Sequence, residues 1–178
     1  MVAIPDTGRP SPGEYAPFYE SYVRLVPETG IDEALQEQLA IVGNLLDGLS
    51  EDLGGYRYAP NKWSVRELIG HLIDTEWVFA GRALWIARGG QPLPGMDQDE
   101  FCAAAHHDRV SLADLRWQFL SIREAGLAQY RTFSASALSE RGVASGCEFS
   151  VRSLLFILVG HVRHHLRVLE ERYLISAG

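Results

Sequence analysis

Three times along this 178-residue chain a serine able to cap a helix stands between two apolar residues five positions apart. The sets are Trp63-Ser64 with Leu68, Val110-Ser111 with Leu115, and Phe149-Ser150 with Leu154. In the first, Glu67 stands where a capping box needs it, and in the second Asp114 does. A cap inside such a hydrophobic staple fixes where a helix begins and how the chain enters it. The spacing predicts helices from Ser64 to about Arg88, from Ser111 through Tyr130, and from Ser150 to about Leu174. Gly89-Gly90 and residues 91–95 stop the first of these.

An earlier segment, Gly30 to Leu49, places Leu35, Leu39, Val42, Leu46 and Leu49 at steps of four and three, the seam of a bundle. Thr29 with Asp32 reads as its capping-box-like start. Leu115, Phe119, Ile122 and Tyr130 mark the buried face of the third helix. No run of alternating strands is evident beyond a small hairpin at Val143–Phe149. The fold class is therefore all-α, a four-helix bundle. Residues 1–28, with five of the eight prolines and the aromatics Tyr15, Phe18, Tyr19 and Tyr22, read as an arm wrapped on it, with a helical turn around Tyr19 to Leu25. Residues 29–178 form the bundle, and Gly89 to Val110 is a long loop, a lid or a plain connection.

Hydrophobic residues are 47% and charged residues 22%, the balance of one soluble globular domain. The net charge of -7 and pI near 5.3 argue against nucleic acid or an anionic membrane as partner through a general positive field. The longest apolar run, Leu154 to Val159, falls far short of the roughly 20 residues of a membrane span. Residues 1–12 lack the order of a signal peptide, and Cys102 and Cys147 are too few for a disulfide framework. The expected location is the cytoplasm.

The chemistry concentrates in the fourth helix, in Gly160-His161-Val162-Arg163-His164-His165. With Leu154 at zero on a helical wheel, Leu158, Val162 and Leu169 fall at about 40°, 80° and 60°. His161 and His165 fall inside that arc, at about 340° and 20°, whereas His164 sits on the polar border at about 280°. Imidazoles four apart on one face can share a metal ion. Buried side by side without one, each has a polar nitrogen to satisfy, and protonating both sets charge beside charge. A pair of core histidines bonded to backbone, water or a carboxylate is the alternative, and the pair by itself leaves both readings open.

His71, in the second helix, is the candidate third ligand, although it lies on the flank of the arc of Leu68, Leu72, Phe79 and Ala83. Glu76 falls on the apolar face and must have a partner: a metal, a histidine or an arginine, the last being the commonest outcome. Glu76 and Asp74 are the candidates for a general base. His106 and His107 are expected to be solvated loop residues outside the site, and Arg152, Arg163 and Arg167 a solvated outer face.

Lys62 to Asp74, Pro92 to Asp99, and Gly160-His161 through His165-Leu166, taken in order, resemble the DinB-like superfamily over about residues 14–174. The resemblance implies an up-down-down-up four-helix bundle. It also implies one divalent metal ion held by three histidines, at the positions of His71, His161 and His165, and a homodimer. Members include transferases that use low-molecular-weight thiols such as mycothiol, bacillithiol or glutathione, and others labelled metal-dependent hydrolases.

Three neutral imidazoles leave an ion its full charge and an open position. Such an ion can activate water for hydrolysis or hold a thiol as thiolate for transfer to an electrophile. The expected function is a metal-dependent enzyme on a small-molecule substrate. Transfer of a low-molecular-weight thiol comes first, on the resemblance, and hydrolysis second. A non-catalytic bundle stapled by metal follows, and a bundle without metal comes last. Zinc or nickel is the expected metal, although imidazole also suits copper and iron.

Overall fold

The computed structural model describes residues 2–90 and 92–176. Four long helices dominate it: α2 (Ile31–Asp47), α3 (Val65–Ala87), α5 (Leu112–Tyr130) and α7 (Val151–Tyr173). Three short helices accompany them, α1 (Glu20–Val23), α4 (Gln98–Ala105) and α6 (Ala135–Ser139). Strands β1 (Arg141–Ala144) and β2 (Cys147–Ser150) form an antiparallel hairpin leading into α7.

The three serine caps form as expected. The Ser64 Oγ accepts from the Glu67 N–H while the Glu67 carboxylate accepts from the Ser64 N–H. The Ser111 and Ser150 hydroxyls accept from the N–H groups of Asp114 and Ser153. The expectation for α2 was wrong in detail. Gly30 occupies its N-cap without a side-chain cap, because the Asp32 carboxylate is taken by Arg131 and by the Ile4 N–H.

Cross-helix bonds fix the direction of each helix. Asp32, Gln38 and Gly43 of α2 meet Arg131, Arg123 and Arg116 of α5, so these two run antiparallel. Gly70, early in α3, lies against His107, just before α5, and Glu76 further along meets Arg123, so α3 and α5 run parallel. The Trp63 carbonyl meets Tyr173 and His71 meets His161, so α3 and α7 are antiparallel. In chain order the four helices run up, down, down, up.

At the centre lies Arg123, with no exposed surface. Its Nε and Nη2 donate to the two oxygens of Glu76, at 2.9 and 2.6 Å. Its Nη1 donates to the Gln38 side chain and the Leu35 carbonyl. Gln38 in turn donates to the Val159 carbonyl at 2.9 Å, so one charged network joins all four long helices.

Two other expectations need correction. Arg152 and Arg163 are not a solvated face: each grips the arm, Arg152 through Glu14 and the Thr7 carbonyl, Arg163 through Glu28 and the Leu25 carbonyl. They border the core but face acidic groups that the wheel of one helix cannot see. Arg167 alone of the three is exposed. The segment from Gly89 to Val110 is not a structureless loop. Its residue Gln91 lies outside the described residues, but Leu93 bridges to Ala144 and Asp97 caps α4 by accepting from the N–H groups of Asp99 and Glu100.

Removing one partner of the central pair leaves the other charge buried and alone. Glu76→Gln is expected to cost about 3–5 kcal/mol in urea unfolding. The double change Glu76→Leu with Arg123→Met should cost less than the sum of the single changes. Additive costs would show that the pair is not coupled.

The arm gives a pH signature. Burial opposes ionisation of Glu14, but hydrogen bonds from Arg152, the Ser11 N–H and Ser150 outweigh it and lower its pKa from 4.5 to about 2. A depressed carboxylate stabilises the fold fully above its unfolded value, and that contribution is lost as pH falls from about 4.5 towards 2. Glu14→Gln should flatten the acid-unfolding curve in that window while leaving a stability deficit at neutral pH. An unchanged slope would contradict the assignment.

Candidate metal centre

Because α3 and α7 are antiparallel neighbours, His71, early in α3, meets the later half of α7. The Nε2 atoms of His71 and His165 lie 3.0 and 3.1 Å from the Nε2 of His161. All three ligand atoms fall within 4.8 Å of one another. His71 and His161 are buried and His165 is half-buried. The flank position of His71 on the wheel is covered because α3 packs against α5 and α4 as well as α7, burying 14 of its 23 residues. His164 turns to the side, half-buried, with its ring 5.4 Å from that of Tyr22, and is not among the clustered nitrogens.

The arm and the loop before α3 close two walls. The Tyr22 ring meets His161 edge-on at 5.3 Å, and the Trp63 ring lies 4.8 Å from His71. Gly160 allows the arm this close. A Cβ there would fall 2.1 Å from the Tyr22 carbonyl oxygen, so only glycine lets that backbone lie on α7 beside His161.

The donor set fits a metal ion. A ring nitrogen carries either a proton or a lone pair, never both. The His161 Nε2, placed between two others, therefore has one bond to offer for two contacts. A cation accepting a lone pair from each ring resolves this without any proton. The two separations from His161 are near the about 3.3 Å between nitrogens that share a tetrahedral ion. The environment also keeps the rings neutral, as ligation requires. Burial, then the charge of His107, lowers the His71 pKa from 6.5 to about 4. Burial and the neighbouring rings hold His161 and His165 well below the ordinary range.

Neither candidate base faces the cluster. Glu76 is engaged at both oxygens by Arg123, the structural alternative foreseen for it. Asp74 lines a separate hollow with Glu100 and Phe101, and lies 3.9 Å from His107. His107 is a correction: it is buried, not solvated. Gly70 makes the room for it, since a Cβ there would fall 2.2 Å from the His107 ring.

Two cavities open beside the histidines. One, about 300 Å³, is walled by Phe18, Tyr19, Tyr22 and Phe79, with His71, His161 and Arg82 on its lining. The other, about 360 Å³, is lined by Trp63, Tyr58, Tyr173 and His165. Gln98, at the start of α4, borders both. A larger hollow, about 800 Å³ between the arm and α2, contains none of the histidines.

The wall residues Tyr22, Trp63, Phe79 and Arg82 were not singled out from sequence as site residues. For Arg82 a signal existed, because it lies eleven positions from His71, on the same stripe of one helix. Both cysteines are free, Cys102 buried with its thiol pushed up to about 11 by burial, and neither joins the cluster.

Depressed histidines destabilise the metal-free fold as pH falls. Below about 6.5 the unfolded chain takes up protons that the folded rings refuse, and this continues towards pH 4. Replacing one of them, as in His161→Leu, should reduce the slope of metal-free stability in that window by up to about 1.4 kcal/mol per pH unit. An identical slope in urea titrations across pH would contradict the electrostatic description.

A comparison with curated protein sequences gives no match. Among solved structures, YfiT from Bacillus subtilis, described as a probable metal-dependent hydrolase with an unusual four-helix bundle topology, is similar at a TM-score of 0.71. It is 15% identical, with 85% of this chain and 91% of that chain covered, and so shares the fold. No helix among the described residues is long and apolar enough to cross a membrane. A family model, the DinB superfamily, matches residues 34–169, which hold all four long helices almost entirely and each of the clustered histidines. This chain therefore belongs to the DinB superfamily.

Proposed function

We propose that the protein is a metal-dependent enzyme acting on a small molecule. In this reading His71, His161 and His165 hold one divalent ion, zinc or nickel, and the reaction is transfer of a low-molecular-weight thiol to an electrophile. The supporting observation is a set of three converging neutral imidazoles, flanked by an aromatic cavity. An ion bound there supplies Lewis acidity and can keep a thiol in its nucleophilic thiolate form or activate a water.

The chain's own residues bear on the choice between these. Hydrolysis profits from a general base near the nucleophile; Glu76 and Asp74 are both committed elsewhere, and Asp97, on the wall of the aromatic cavity, is used as the cap of α4. Thiol transfer needs no such base once the proton has left the sulfur. Tyr22 and Trp63 pack on the rings, hold them in place and limit access of water. Hydrolysis is the second reading, favoured by the description of YfiT.

The test is turnover by metal-loaded protein of monochlorobimane with glutathione or cysteine, beside hydrolysis of p-nitrophenyl acetate. The expected result is acceleration of bimane conjugation that falls about a hundredfold or more in His161→Ala, with ester hydrolysis near background. Ester turnover without conjugation would replace this reading with hydrolysis. Neither activity would favour a non-catalytic metal site.

A further inference from the structure

Two arginines are buried among the described residues, and they are treated differently. Arg123 is met by the Glu76 carboxylate at Nε and Nη2 and by neutral acceptors at Nη1. Arg82, 4% exposed, has no carboxylate partner among the described residues. Its Nη2 donates to the Pro94 carbonyl at 3.1 Å and to the Ser145 Oγ at 2.8 Å. The Tyr19 hydroxyl lies beside it, and the guanidinium carbon sits 5.1 Å from the centre of the Phe79 ring. Among the described residues, no carbonyl or carboxylate accepts from its Nε–H or Nη1–H, and Tyr19 is its remaining hydrogen-bond partner. A guanidinium on a cavity wall with only neutral partners has its charge free for an anion.

The surroundings are constructed around this group. Ser145 has a φ of +53° and Gly146 one of +70°, the pattern of a two-residue turn that favours asparagine, aspartate or glycine at the first position. A serine there accepts local strain. Its hydroxyl accepts from Arg82 and keeps its own proton to donate. The turn is clamped by bonds from the Ser145 N–H to the Leu93 carbonyl and from the Leu93 N–H to the Val143 carbonyl. Both Ser145 and Arg82 line the aromatic cavity that reaches His71 and His161. Along α3, His71, Thr75, Phe79 and Arg82 fall within about 80° of one another, so one stripe joins the histidines to the guanidinium over an axial rise of about 16 Å.

From this juxtaposition we infer that Arg82 and Ser145 form a carboxylate-binding subsite, so that the substrate is a small carboxylate with an apolar body lying along the aromatic wall. The carboxylate docks at Arg82, and the far end of the molecule faces the histidines. With both Nη2 protons taken by Pro94 and Ser145, one carboxylate oxygen would accept from a remaining guanidinium N–H and the other from the Ser145 hydroxyl. A phosphate dianion is disfavoured, because no second cation lines the cavity and Asp97 does. The orientation of the substrate rests on the three-histidine reading of the function, whereas the anion subsite does not require a bound metal.

The test is calorimetric titration of chelator-treated, metal-free protein with hydrocinnamate, its neutral amide and phenylpropyl phosphate. Hydrocinnamate should bind at least about tenfold more tightly than the amide, and more tightly than the phosphate. Arg82→Gln should erase the preference over the amide, Arg82→Lys should lose most of it, and Ser145→Asn, which suits the turn, should weaken the carboxylate severalfold. Should Arg82→Gln fail to fold, Arg82→Lys and Ser145→Asn decide. Equal binding of acid and amide, no binding of the acid at millimolar concentration, tighter phosphate binding, or a preference that survives in the folded Arg82 variants would each overturn the proposal. Metal uptake, measured separately on wild type and Arg82→Lys, should be equal. Loss of uptake in both would count against the histidine reading while leaving the carboxylate preference to stand or fall by itself.

Discussion

Arg123 of α5 carries a full positive charge into the middle of the bundle, and the other three long helices answer it. Glu76 of α3 supplies the counter-charge, Leu35 and Gln38 of α2 supply neutral acceptors, and Gln38 passes the network on to the Val159 carbonyl of α7. Leucine seams alone permit helices to slide by a turn at little cost, since one apolar contact replaces another. A buried ion pair does not, because a slip of about 5.4 Å strands both charges in a medium that cannot solvate them. The network thus sets the register of α2, α3 and α7 around α5. Val159 lies two residues before His161, and Glu76 five after His71, so the same register brings the histidines together.

The cluster inverts the logic of that core. Around Arg123 every nitrogen has an acceptor, whereas the His161 Nε2 has one bond to offer for two contacts. Burial keeps the rings neutral. The arm then closes the site from outside. Glu14 and Glu28 fasten it through Arg152 and Arg163, and Gly160 admits the Tyr22 backbone next to His161. Fold stability and the shape of the site are therefore linked through the first 28 residues, most of which no family motif covers.

Much of this was legible in the sequence because it rests on local rules. The caps at Ser64, Ser111 and Ser150 depend on residues within five positions, and all three helices start where those residues place them. The same holds for the inward face of His161 and His165, which the wheel of one helix determines. What escaped depends on pairs distant in sequence. Arg152 and Arg163 read as solvated because their partners lie 135 or more positions away. His107 read as a loop residue because its burial requires the gap at Gly70 on another helix. Arg123 was open to detection: at about 80° from Leu115 it sits among Phe119, Tyr130 and Leu127 on its own wheel. Glu76 was rightly seen to need a partner, but the partner's identity required the packing of α3 on α5. His71 was a candidate third ligand despite its flank position on the wheel, and the family resemblance, not periodicity, supported it.

The central claim is that the three histidines hold one divalent ion. Elemental analysis of untagged protein, prepared without chelator, addresses it directly when His161→Ala is measured alongside. The account requires about one equivalent of zinc or nickel per chain in the native protein and little in the variant, with the variant still folded. Native protein that holds no metal, and takes none up from added zinc or nickel, would contradict it and leave the histidines as polar members of the core.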